Sequence, residues 1–562
     1  MATGDVTSDI VNVNTSAINT AMAALKVTNN DYWMIAPAAN GQQLVITNIE
    51  NVGFASVGVP ADGQTPYDAV VGSDDADYET DGTADQIQIN AAIVAVNAAG
   101  GGIVFVKSGN YSLSGSISMR SNVCLQGCGW STKFSLVNGV DNVTISCDGI
   151  SNFQLKDFKT DGNRANQSSG SGVWCASDCS DYEVSGLYVT NSYSNNIICG
   201  GTDFLINRCI VDTCDNDGIV VHTGERCAVT NCTATGCILT TGNGFGVYNN
   251  STNVHEIAVS NCVAYSNAGY GFNIEHAFKT TVSNCVSLSN KTGFGALSTS
   301  GDNSDYIVFQ GCISVTNTEN GFGIKGGQYI TMNGCQSVND TGVGIEIGGS
   351  TASHNLTITN NQIYSPSGYG LRAFNTGPTT VNYNITGNTF TACGSIAIEM
   401  GTAPDAIIAN NIINGTASGI RTGGPRTQIL GNKITTNGGS NGIYIDAVTG
   451  EDFIISGNFV TNSDDQGIYA AAPNGIINNN IVKNSGQNSG TGYGIYVNSA
   501  GDNITVIGNC CYDDQGTKTQ EYGIAISSNA DRVVVVGNAC HSNGTTDIDN
   551  GSTDGVTTGN IA

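Results

Sequence analysis

The tetrapeptide "VSNC" occupies residues 259–262 and returns at 282–285, with the variant "MNGC" at 332–335. From residue 358 onward the motif ends in asparagine instead, as in "ITNN" at 358–361 and "ILGN" at 429–432. The final residues form one column that recurs about every 25 residues, which is the signature of a solenoid whose repeats stack on one another. The column contains Leu187, Cys209, Cys232, Cys262, Cys285, Cys312, Cys335, Asn361, Asn388, Asn411, Asn432, Asn458, Asn480, Asn509, Asn538 and Asn560.

A second column interleaves with the first and marks the start of short alternating strands, such as "GIVV" at 218–221 and "GIYI" at 442–445. Two columns with one period predict an all-β fold, a right-handed parallel β-helix whose equivalent positions stack about 4.8 Å apart. The second column contains Gly172, Asn196, Gly218, Gly244, Gly271, Gly293, Gly321, Gly342, Gly370, Ser395, Gly419, Gly442, Gly467, Gly494, Gly523 and Asp547.

The last residue of each tetrapeptide is predicted to point inward at a tight turn. Cysteine there acts as a small buried hydrophobe, whereas asparagine forms a ladder of amide hydrogen bonds with neighbouring coils. Disulfides along the column are not expected, because Cβ atoms about 4.8 Å apart exceed the roughly 3.5–4.5 Å of a disulfide. Most of the 19 cysteines are therefore interpreted as free thiols, which favours folding in a reducing cytoplasm. No Cys-x-x-Cys motif occurs, and no metal site or cofactor is predicted.

The composition is that of a turn-rich β protein, with 74 glycines and only 12% charged residues. The 46 acidic and 19 basic residues give a formal net charge of −27, which disfavours nucleic acid and anionic membranes as partners. No stretch of about 18 apolar residues occurs, so membrane insertion is not expected. The opening "MATGDVTSDI" lacks a basic region and an apolar core, and synthesis in the cytoplasm without a signal peptide is expected.

Three segments are predicted along the chain. Residues 1–75 form an N-terminal helix and a small β module, residues 76–135 a cap helix and the first coils, and residues 136–562 the parallel β-helix. Residues 7–27 have apolar residues at helical spacing, and "YWMIA" and "QLVITNI" within 32–59 have the composition of short strands.

The segment before the first coils begins with the acidic stretch "GSDDADYETDG" at 72–82, which is interpreted as a solvated loop rather than a calcium site. Thr83 and Gln86 then form a predicted capping box for a helix over 83–99. The apolar face of this helix contains Ile89, Ala92, Ile93 and Val96.

An Asp-Gly segment, an amphipathic helix, a Gly-Gly turn and a strand ending in Gly-x-Tyr follow one another over residues 81–111. In this order, and in Gly101, Gly102, Gly109 and Tyr111, the sequence resembles the pectin-lyase-like right-handed parallel β-helix superfamily, and most of all its viral tailspike and tail-fibre proteins. The resemblance extends over about residues 79–562. It implies the fold and says almost nothing about chemistry.

Candidate site residues come from the strands that follow the glycine column, where the second and fourth residues are expected to face solvent. Polysaccharide cleavage needs two carboxylates, with arginines and aromatic rings to hold the sugar. At fourth positions Glu346 and Glu399 lie two coils apart, as do Glu399 and Asp446, and these are the candidate catalytic residues. The alternative is an ordinary solvated face with alternating charge. The candidate glycan-binding residues, at second positions, are Arg372, Arg421, Tyr444, Tyr469 and Tyr496.

A rival catalytic cluster consists of Asp215, Asp217 and His222 in "CDNDGIVVHTGE" at 214–225, which resembles polygalacturonase motifs. The next coil has "TGNGF" at 241–245 where that family needs Gly-His-Gly, and no Arg-Ile-Lys follows. The Asp-Pro-His signature of alginate epimerases is also absent. Pectin hydrolysis is therefore not expected.

These observations favour a viral tailspike or tail-fibre type protein that binds a host cell-surface polysaccharide, with cleavage by the paired carboxylates left open. Residues 1–75 would then attach to a virion tail or baseplate protein, with the molecule on the virion surface or outside the cell. Two alternatives remain: a secreted polysaccharide hydrolase or lyase, and a non-enzymatic β-helical adhesin or structural filament protein.

The sequence ends two residues after Asn560, without a segment that would cover the last coil. An uncovered coil exposes unpaired backbone groups and an apolar cross-section, so either another chain covers it or the sequence is truncated at this point. The viral proteins that this sequence resembles are commonly trimers, and the resemblance implies a homotrimer.

Overall fold

A computed structural model describes residues 67–561, apart from gaps at 249–253, 299–303, 349–352, 375–381, 447–448 and 489–491, together with two backbone strands before them. The chain divides into two compact units, Met1–Pro66 and Tyr67–Ala562. The second unit begins before the predicted boundary at residue 75. The predicted helix at 7–27 lies outside the described residues.

The first unit contains a pair of antiparallel strands, Tyr32–Pro37 and Leu44–Ile49, with Tyr32 opposite Ile49 and Pro37 opposite Leu44. These strands lie in the two segments that the sequence predicted.

The second unit is a right-handed parallel β-helix, as the two columns predicted. Each complete coil passes through three short strands, which we assign to faces 1, 2 and 3 in the order in which the chain meets them after the glycine column. Every strand pairs in parallel with the equivalent strand one coil away, as Ile443–Ile445 does with Ile468–Ala470. Two strands, Ile197–Asn207 and Ile219–Thr230, run from face 1 into face 2 without a break.

Face 1 also contains Ile117–Ser118, Ile145–Cys147, Val173–Cys175, Phe245–Val247, Tyr270–Glu275, Thr292–Leu297, Phe322–Lys325, Ile345–Gly348, Leu371–Phe374, Ile396–Glu399, Ser418–Thr422, Ile443–Ile445, Ile468–Ala470, Gly492–Val497, Gln520–Ile526 and Thr546–Asn550. Face 2 also contains Ala69–Gly72, Gly102–Val106, Val123–Gln126, Ser151–Lys156, Ser180–Ser185, Val254–Ser260, Thr281–Ser283, Val308–Gln310, Thr331–Asn333, Leu356–Thr359, Tyr383–Thr386, Ile407–Ala409, Gln428–Leu430, Ile454–Ser456, Ile476–Asn478, Thr505–Ile507, Val534–Val536 and Val556–Thr558.

Face 3 contains Gly109–Leu113, Thr132–Leu136, Lys159–Asp161, Tyr188–Ser192, Ile210–Cys214, Thr233–Cys237, Val263–Tyr265, Val286–Leu288, Ile313–Val315, Gln336–Val338, Gln362–Tyr364, Thr389–Thr391, Ile412–Thr416, Lys433–Thr436, Phe459–Thr461, Ile481–Lys483, Cys510–Tyr512 and Ala539–His541. Short strands outside these three sets are Tyr78–Glu79, Ala277–Phe278, Gly327–Gln328 and Ser353–His354, and single-turn 3₁₀ helices are Gly129–Ser131 and Arg164–Asn166.

Helix α1, Gln86–Ala98, packs on the first coils. The predicted apolar face is confirmed, but the capping box is wrong, because the helix begins at Gln86 and its N-cap Asp85 makes no side-chain cap bond. The Asp85 carboxylate instead accepts a hydrogen bond from Ser112 N (2.7 Å), and the Thr83 hydroxyl donates to Asp81 (2.7 Å). The buried residues of the helix are Gln86, Ile89, Ala92, Ile93 and Val96. Among the described residues, no helix has the length and apolar character needed to cross a membrane.

The third residue of the recurring tetrapeptide is asparagine or glycine because its backbone is left-handed. Asn261, Asn284 and Gly311 have φ angles of 54°, 52° and 61°. Glycine tolerates this region freely and asparagine better than most residues. The turn between faces 2 and 3 thereby directs the fourth residue inward, and we call this turn the 2/3 corner.

The asparagines of the 2/3 corner form the predicted ladder. Asn388 Nδ2 donates to Asn411 Oδ1 (3.1 Å), and Asn388 N donates to the same oxygen (2.9 Å). Asn388 Nδ2 also donates to the carbonyl of Ile358 (2.8 Å). Equivalent side-chain bonds run from Asn361 to Asn560. Each amide thus satisfies backbone groups that the tight turn would otherwise leave unpaired.

The cysteines of the same corner are buried free thiols, as predicted. Cys209 N and Cys232 N each lie 3.4 Å from the sulfur one coil on, in Cys232 and Cys262 respectively. Sixteen of the 19 cysteines are buried, Cys124 and Cys510 are half-buried, and Cys128 is exposed.

The turn from face 3 into face 1, the 3/1 corner, carries a second amide ladder in the cysteine coils. Asn267 Nδ2 donates to Asn290 Oδ1 (2.9 Å), Asn290 N donates to Asn317 Oδ1 (2.9 Å), and Asn317 Nδ2 donates to Asp340 Oδ1 (2.9 Å). Asp340 is completely buried, and burial raises the pKa of its carboxyl although hydrogen bonds from Ser337 and other neighbours oppose the shift.

Candidate functional site

The predicted glycan-binding residues and two of the predicted carboxylates lie in a single column on the outer side of face 1. Glu346 is opposite Arg372, Arg372 opposite Glu399, and Glu399 opposite Arg421. Three tyrosines continue the column. Since strand partners lie about 4.8 Å apart, seven consecutive coils each present one large polar side chain along the helix axis. We call this set the face-1 strip: Glu346, Arg372, Glu399, Arg421, Tyr444, Tyr469 and Tyr496.

The predicted assignment of Glu346 and Glu399 to fourth positions is wrong by two residues. Gly344, not Gly342, follows Gly321 in register, because Phe322 pairs with Ile345. In the same way Leu371 pairs with Ile398, so Ser395 lies in the preceding turn. The turns of these two coils each hold two more residues than the sequence alignment assumed. Both carboxylates are therefore second-position residues in line with the arginines, whereas Asp446 is at the predicted fourth position, two residues after Tyr444 of the strip.

Glu346 is held by a cation and an amide at the upstream end of the strip. Its Oε2 atom lies 3.0 Å from Lys325 Nζ and accepts a hydrogen bond from Asn320 Nδ2 (2.8 Å). Burial lowers the pKa of Lys325, but the hydrogen bond to Glu346 and its charge raise it by more, so that the net shift is upward. This half-buried ion pair fixes the direction of the Glu346 carboxylate.

Arg421 lies between two of the candidate carboxylates. Its Nη2 atom is 2.8 Å from Asp446 Oδ2, and its Nη1 atom is 3.9 Å from Glu399 Oε1. The guanidinium carbon also lies 5.3 Å from the ring centre of Tyr444. The hydrogen bond to Asp446, followed by the charge of Glu399, raises the pKa of Arg421. One guanidinium therefore connects the charged part of the strip to its aromatic part.

Arg372 is stacked rather than ion-paired. Its guanidinium carbon lies 3.6 Å from the ring centre of Phe374 and 4.4 Å from that of Tyr369. Among the residues that the structure describes, no carboxylate oxygen lies within 4.0 Å of its nitrogens. Stacking on aromatic rings leaves the N–H edge of a guanidinium available for hydrogen bonds.

The three tyrosines of the strip are in contact with one another. The ring centres of Tyr444 and Tyr469 are 4.9 Å apart at 67°, and those of Tyr469 and Tyr496 are 5.6 Å apart. Asn498 Nδ2 donates a hydrogen bond to the Tyr469 hydroxyl. Burial raises the pKa of Tyr444 and Tyr469, so both phenols are neutral at ordinary pH. The row offers ring edges, ring faces and hydroxyls within half-buried surroundings.

Sequence reasoning missed the tyrosines that directly precede the column glycines Gly370 and Gly494. Tyr493 stacks on Tyr496 (4.7 Å) and on Tyr522 (5.1 Å), which widens the aromatic row to a second column. Tyr369 holds Arg372 in the same way. The signal was the tripeptide "GYG" at 368–370 and 492–494, which places a tyrosine immediately before the column glycine.

Directly upstream of Glu346 the strip column contains two glycines in successive coils. Gly295 and Gly323 precede Glu346 in register. An added Cβ on Gly295 would lie 2.8 Å from the ring of Tyr270, which folds over this glycine. Gly323 is buried as well, although an added Cβ there would come no closer than 3.7 Å, to Lys325 Cε. The strip thus begins beside two buried glycines, which present no side chain on the outer side of the strand.

Both aspartates of the rival cluster are bound to other residues of the β-helix. Arg164 Nη1 lies 2.6 Å from Asp215 Oδ1. Asp217 is buried, accepts hydrogen bonds from Asn243 N (2.6 Å) and the Tyr248 hydroxyl, and has its pKa raised by burial. Burial also lowers the pKa of His222. The two aspartates thus have different partners.

No group of three or more histidine, cysteine, aspartate and glutamate side chains is arranged to hold a metal ion in the described part of the chain. In the acidic loop at 72–82, the carbonyls of Asp74 and Asp75 accept hydrogen bonds from Lys107 Nζ (3.0 and 2.6 Å).

Comparisons with known proteins agree with the fold. Residues 301–384 and 378–540 match the family model described as right handed beta helix region. The N-terminal fragment of bacteriophage Phi29 gene product 12 superimposes with a TM-score of 0.54 at 14% identity, over 86% of this chain and 91% of the fragment. The chain therefore has the fold of a right-handed parallel β-helix.

Curated relatives match shorter parts of the chain. Mannuronan C5-epimerase AlgE6 of Azotobacter vinelandii is 40% identical over 96 residues, which is 15% of this chain and 11% of the relative. Mannuronan C5-epimerase AlgE5 of the same organism is 29% identical over 211 residues, 34% of this chain and 21% of the relative. The chain thus spans between a tenth and about a fifth of the length of these two enzymes.

Proposed function

We propose that the chain binds a polysaccharide that lies along the face-1 strip, parallel to the helix axis. The observation that carries this proposal is the alignment of seven sugar-compatible side chains on seven consecutive coils. A repeating ligand matches a repeating surface, because each coil can contact a successive part of the polymer. The names of the epimerase relatives support a polysaccharide as the ligand class.

The contacts within the strip suit hydroxyl-rich ligands. A guanidinium has five N–H donors, and the bond to Asp446 and the contact with Glu399 leave donors of Arg421 free for sugar hydroxyls. Ring faces of tyrosine pack against the apolar faces of pyranose rings, and their hydroxyls donate and accept hydrogen bonds. The ion pairs hold these groups in place before the ligand arrives, which lowers the entropic cost of binding.

Cleavage of the bound polymer is a second candidate function. The observation that favours it is the arrangement of Glu399 and Asp446 on the two sides of the Arg421 guanidinium. Two carboxylates beside a bound glycan are the minimum for acid and base roles in glycoside hydrolysis. In an active enzyme, Glu399→Gln should abolish turnover and leave most of the glycan affinity.

We further propose that the chain is a viral tail protein, that residues 1–75 attach it to a virion tail or baseplate, and that it is a homotrimer displayed on the virion surface. Support comes from the separate N-terminal unit and from the resemblance of the sequence to tailspikes. A secreted hydrolase or lyase would not need the N-terminal unit, and an adhesin or filament protein would release no products from a glycan.

Binding is tested with the full chain and a panel of soluble polysaccharides in affinity electrophoresis and calorimetry. Arg421→Gln and Tyr469→Ala should weaken binding, whereas Tyr364→Ala, which removes an exposed tyrosine on face 3, should not. Equal affinity in all three variants would place the ligand elsewhere, first at Asp215, Asp217 and His222. New reducing ends in the same incubations would indicate hydrolysis, and ultraviolet-absorbing unsaturated uronates would indicate a lyase.

A further inference from the structure

We infer that the glycan bound on the face-1 strip is electrically neutral. This inference rests on the proposed function and names its ligand class. It depends on the arrangement of the charges in the strip, on the surroundings of Arg372, and on the net charge of the whole chain.

The charges of the strip and its direct partners cancel. Three cations and three carboxylates alternate along the axis: Lys325, Glu346, Arg372, Glu399, Arg421 and Asp446. Lys325 is paired with Glu346, and Arg421 with Asp446 and Glu399. A ligand carboxylate or sulfate at either pair would have to displace a carboxylate that the protein already holds in place. Neither pair therefore offers a site that prefers an anion.

Arg372 is the residue of the strip most suited to bind an anionic group of the glycan, because its guanidinium is not ion-paired in the described structure. Its strand neighbours, however, are Glu346 on one side and Glu399 on the other. Both carboxylates stand one coil away, about 4.8 Å along the axis, which is inside the screening length of about 8 Å at physiological salt. An anionic group at Arg372 would lie beside both carboxylates, whose own cations, Lys325 and Arg421, are one coil farther away. A sugar hydroxyl at the same N–H edge would meet no such repulsion.

The rest of the molecule adds to this preference. The formal net charge is −27, so an acidic polymer with a charge on each repeat approaches a surface that repels it. Downstream of Asp446 the strip consists of the aromatic rings of Tyr469 and Tyr496, with Tyr493 beside them. This end of the strip therefore suits uncharged sugar rings.

The test compares neutral polymers (dextran, galactomannan and mixed-linkage glucan) with acidic ones (alginate, polygalacturonate and carrageenan), at low and at high sodium chloride. We expect binding of at least one neutral polymer, with an affinity that changes less than about twofold over the salt range, because no ion pair forms with the ligand. Arg372→Gln should reduce that affinity by no more than about fivefold, the loss of hydrogen bonds and not of a charge pair.

Binding of acidic polymers alone, with a loss of more than tenfold in Arg372→Gln, would overturn the inference and leave the proposed function standing. Binding of neither class would remove the proposed function itself. The double variant Glu346→Gln/Glu399→Gln is a second test, because it leaves the strip with a net charge of about +2 by the same count. It should gain affinity for acidic polymers at low salt, and a correctly folded double variant without that gain would contradict the electrostatic argument.

Discussion

The coils from Cys262 to Cys335 and those from Asn361 to Asn560 build the same 2/3 corner with different chemistry. In the first region the corner holds thiols, and the amide ladder runs instead along the 3/1 corner, from Asn267 to Asp340. In the second region the amides occupy the 2/3 corner. There the 3/1 corner holds small buried residues from Cys393 to Ser485: Cys393, Thr416, Ser463 and Ser485. In the last coils Gln520 Nε2 donates to Asn543 Oδ1 (2.8 Å) at this corner.

The comparison indicates that the stacked coils are stable with an amide ladder along only one of the two corners. Backbone groups at a tight corner need a partner, and a side-chain amide supplies both a donor and an acceptor. The second corner can then be filled by a small side chain. The two regions also differ on the outer side of face 1. Gly295 and Gly323 lie on the coils with cysteine at the 2/3 corner, the thiol coils, and the charged and aromatic strip lies mainly on the coils with asparagine there, the amide coils.

The largest effect is expected from breaking the amide ladder. Asn411→Ala removes the oxygen that accepts two hydrogen bonds, from Asn388 N and Asn388 Nδ2. The buried backbone N–H of Asn388 then has no partner, and its Nδ2 atom keeps only the bond to the carbonyl of Ile358. We expect the free energy of unfolding, measured by denaturant titration, to fall by about 2–5 kcal/mol. Asn529→Ala, at an exposed turn, is the control and should change it by less than about 0.5 kcal/mol. Equal stability of the two variants would mean that the ladder is dispensable.

A smaller effect is expected in the thiol coils. Cys262→Ser buries a hydroxyl in a site shaped for sulfur, between Cys232 and Cys285. The loss should be on the order of 1–3 kcal/mol in the same titration. Thiol titration after unfolding without a reductant should find Cys232, Cys262, Cys285, Cys312 and Cys335 reduced. Disulfides among them would contradict the packing described here.

A substitution at the aromatic end of the strip tests whether the ligand binds the outer surface of the amide coils rather than that of the thiol coils. Tyr469→Ala removes a ring that contacts both Tyr444 and Tyr496, and polysaccharide affinity should fall roughly two- to tenfold. Calorimetry with a bound polymer measures the change. Gly323→Ala on the thiol coils is the counterpart, and its small added group should leave affinity within about twofold. A larger loss at Gly323 than at Tyr469 would shift the ligand toward the thiol coils.

The mildest expected effect concerns the end of the 3/1 ladder. Because burial raises the pKa of Asp340 in the folded state, the protonated form is favoured by folding. Its contribution to stability is fully present below the ordinary aspartate pKa and declines as pH rises through the raised value. Asp340→Asn should remove this decline, measured as melting temperature against pH. An unchanged pH profile would show that Asp340 does not titrate in that window.

The sequence predicted the fold well because the period and the left-handed third residue of the tetrapeptide are local properties. It placed every strip residue on the right face for the same reason. The register failed at Gly342 and Ser395, since turns of unequal length can be aligned only when the next coil is seen in space. The capping box failed because Asp85 and Thr83 found other partners.

The aromatic neighbours were missed for a different reason. Tyr369 and Tyr493 precede the glycine that marks each strand, so a search confined to residues after that glycine passed over them. Whether these tyrosines join the strip depends on the direction in which their rings point. Contacts in the folded chain decide this: Tyr369 packs on Arg372, and Tyr493 on Tyr496.

The burial of the thiols has a practical consequence for single-molecule work. Cys128 is exposed, whereas sixteen other cysteines are buried and two are half-buried. A maleimide reagent at limiting concentration should therefore modify Cys128 first, and no cysteine would need to be replaced beforehand. Cys128 adjoins the 3₁₀ helix Gly129–Ser131 near the cap helix, many coils from the face-1 strip. A fluorophore or a tether attached to Cys128 would mark the N-terminal coils of the β-helix and leave the face-1 strip unobstructed.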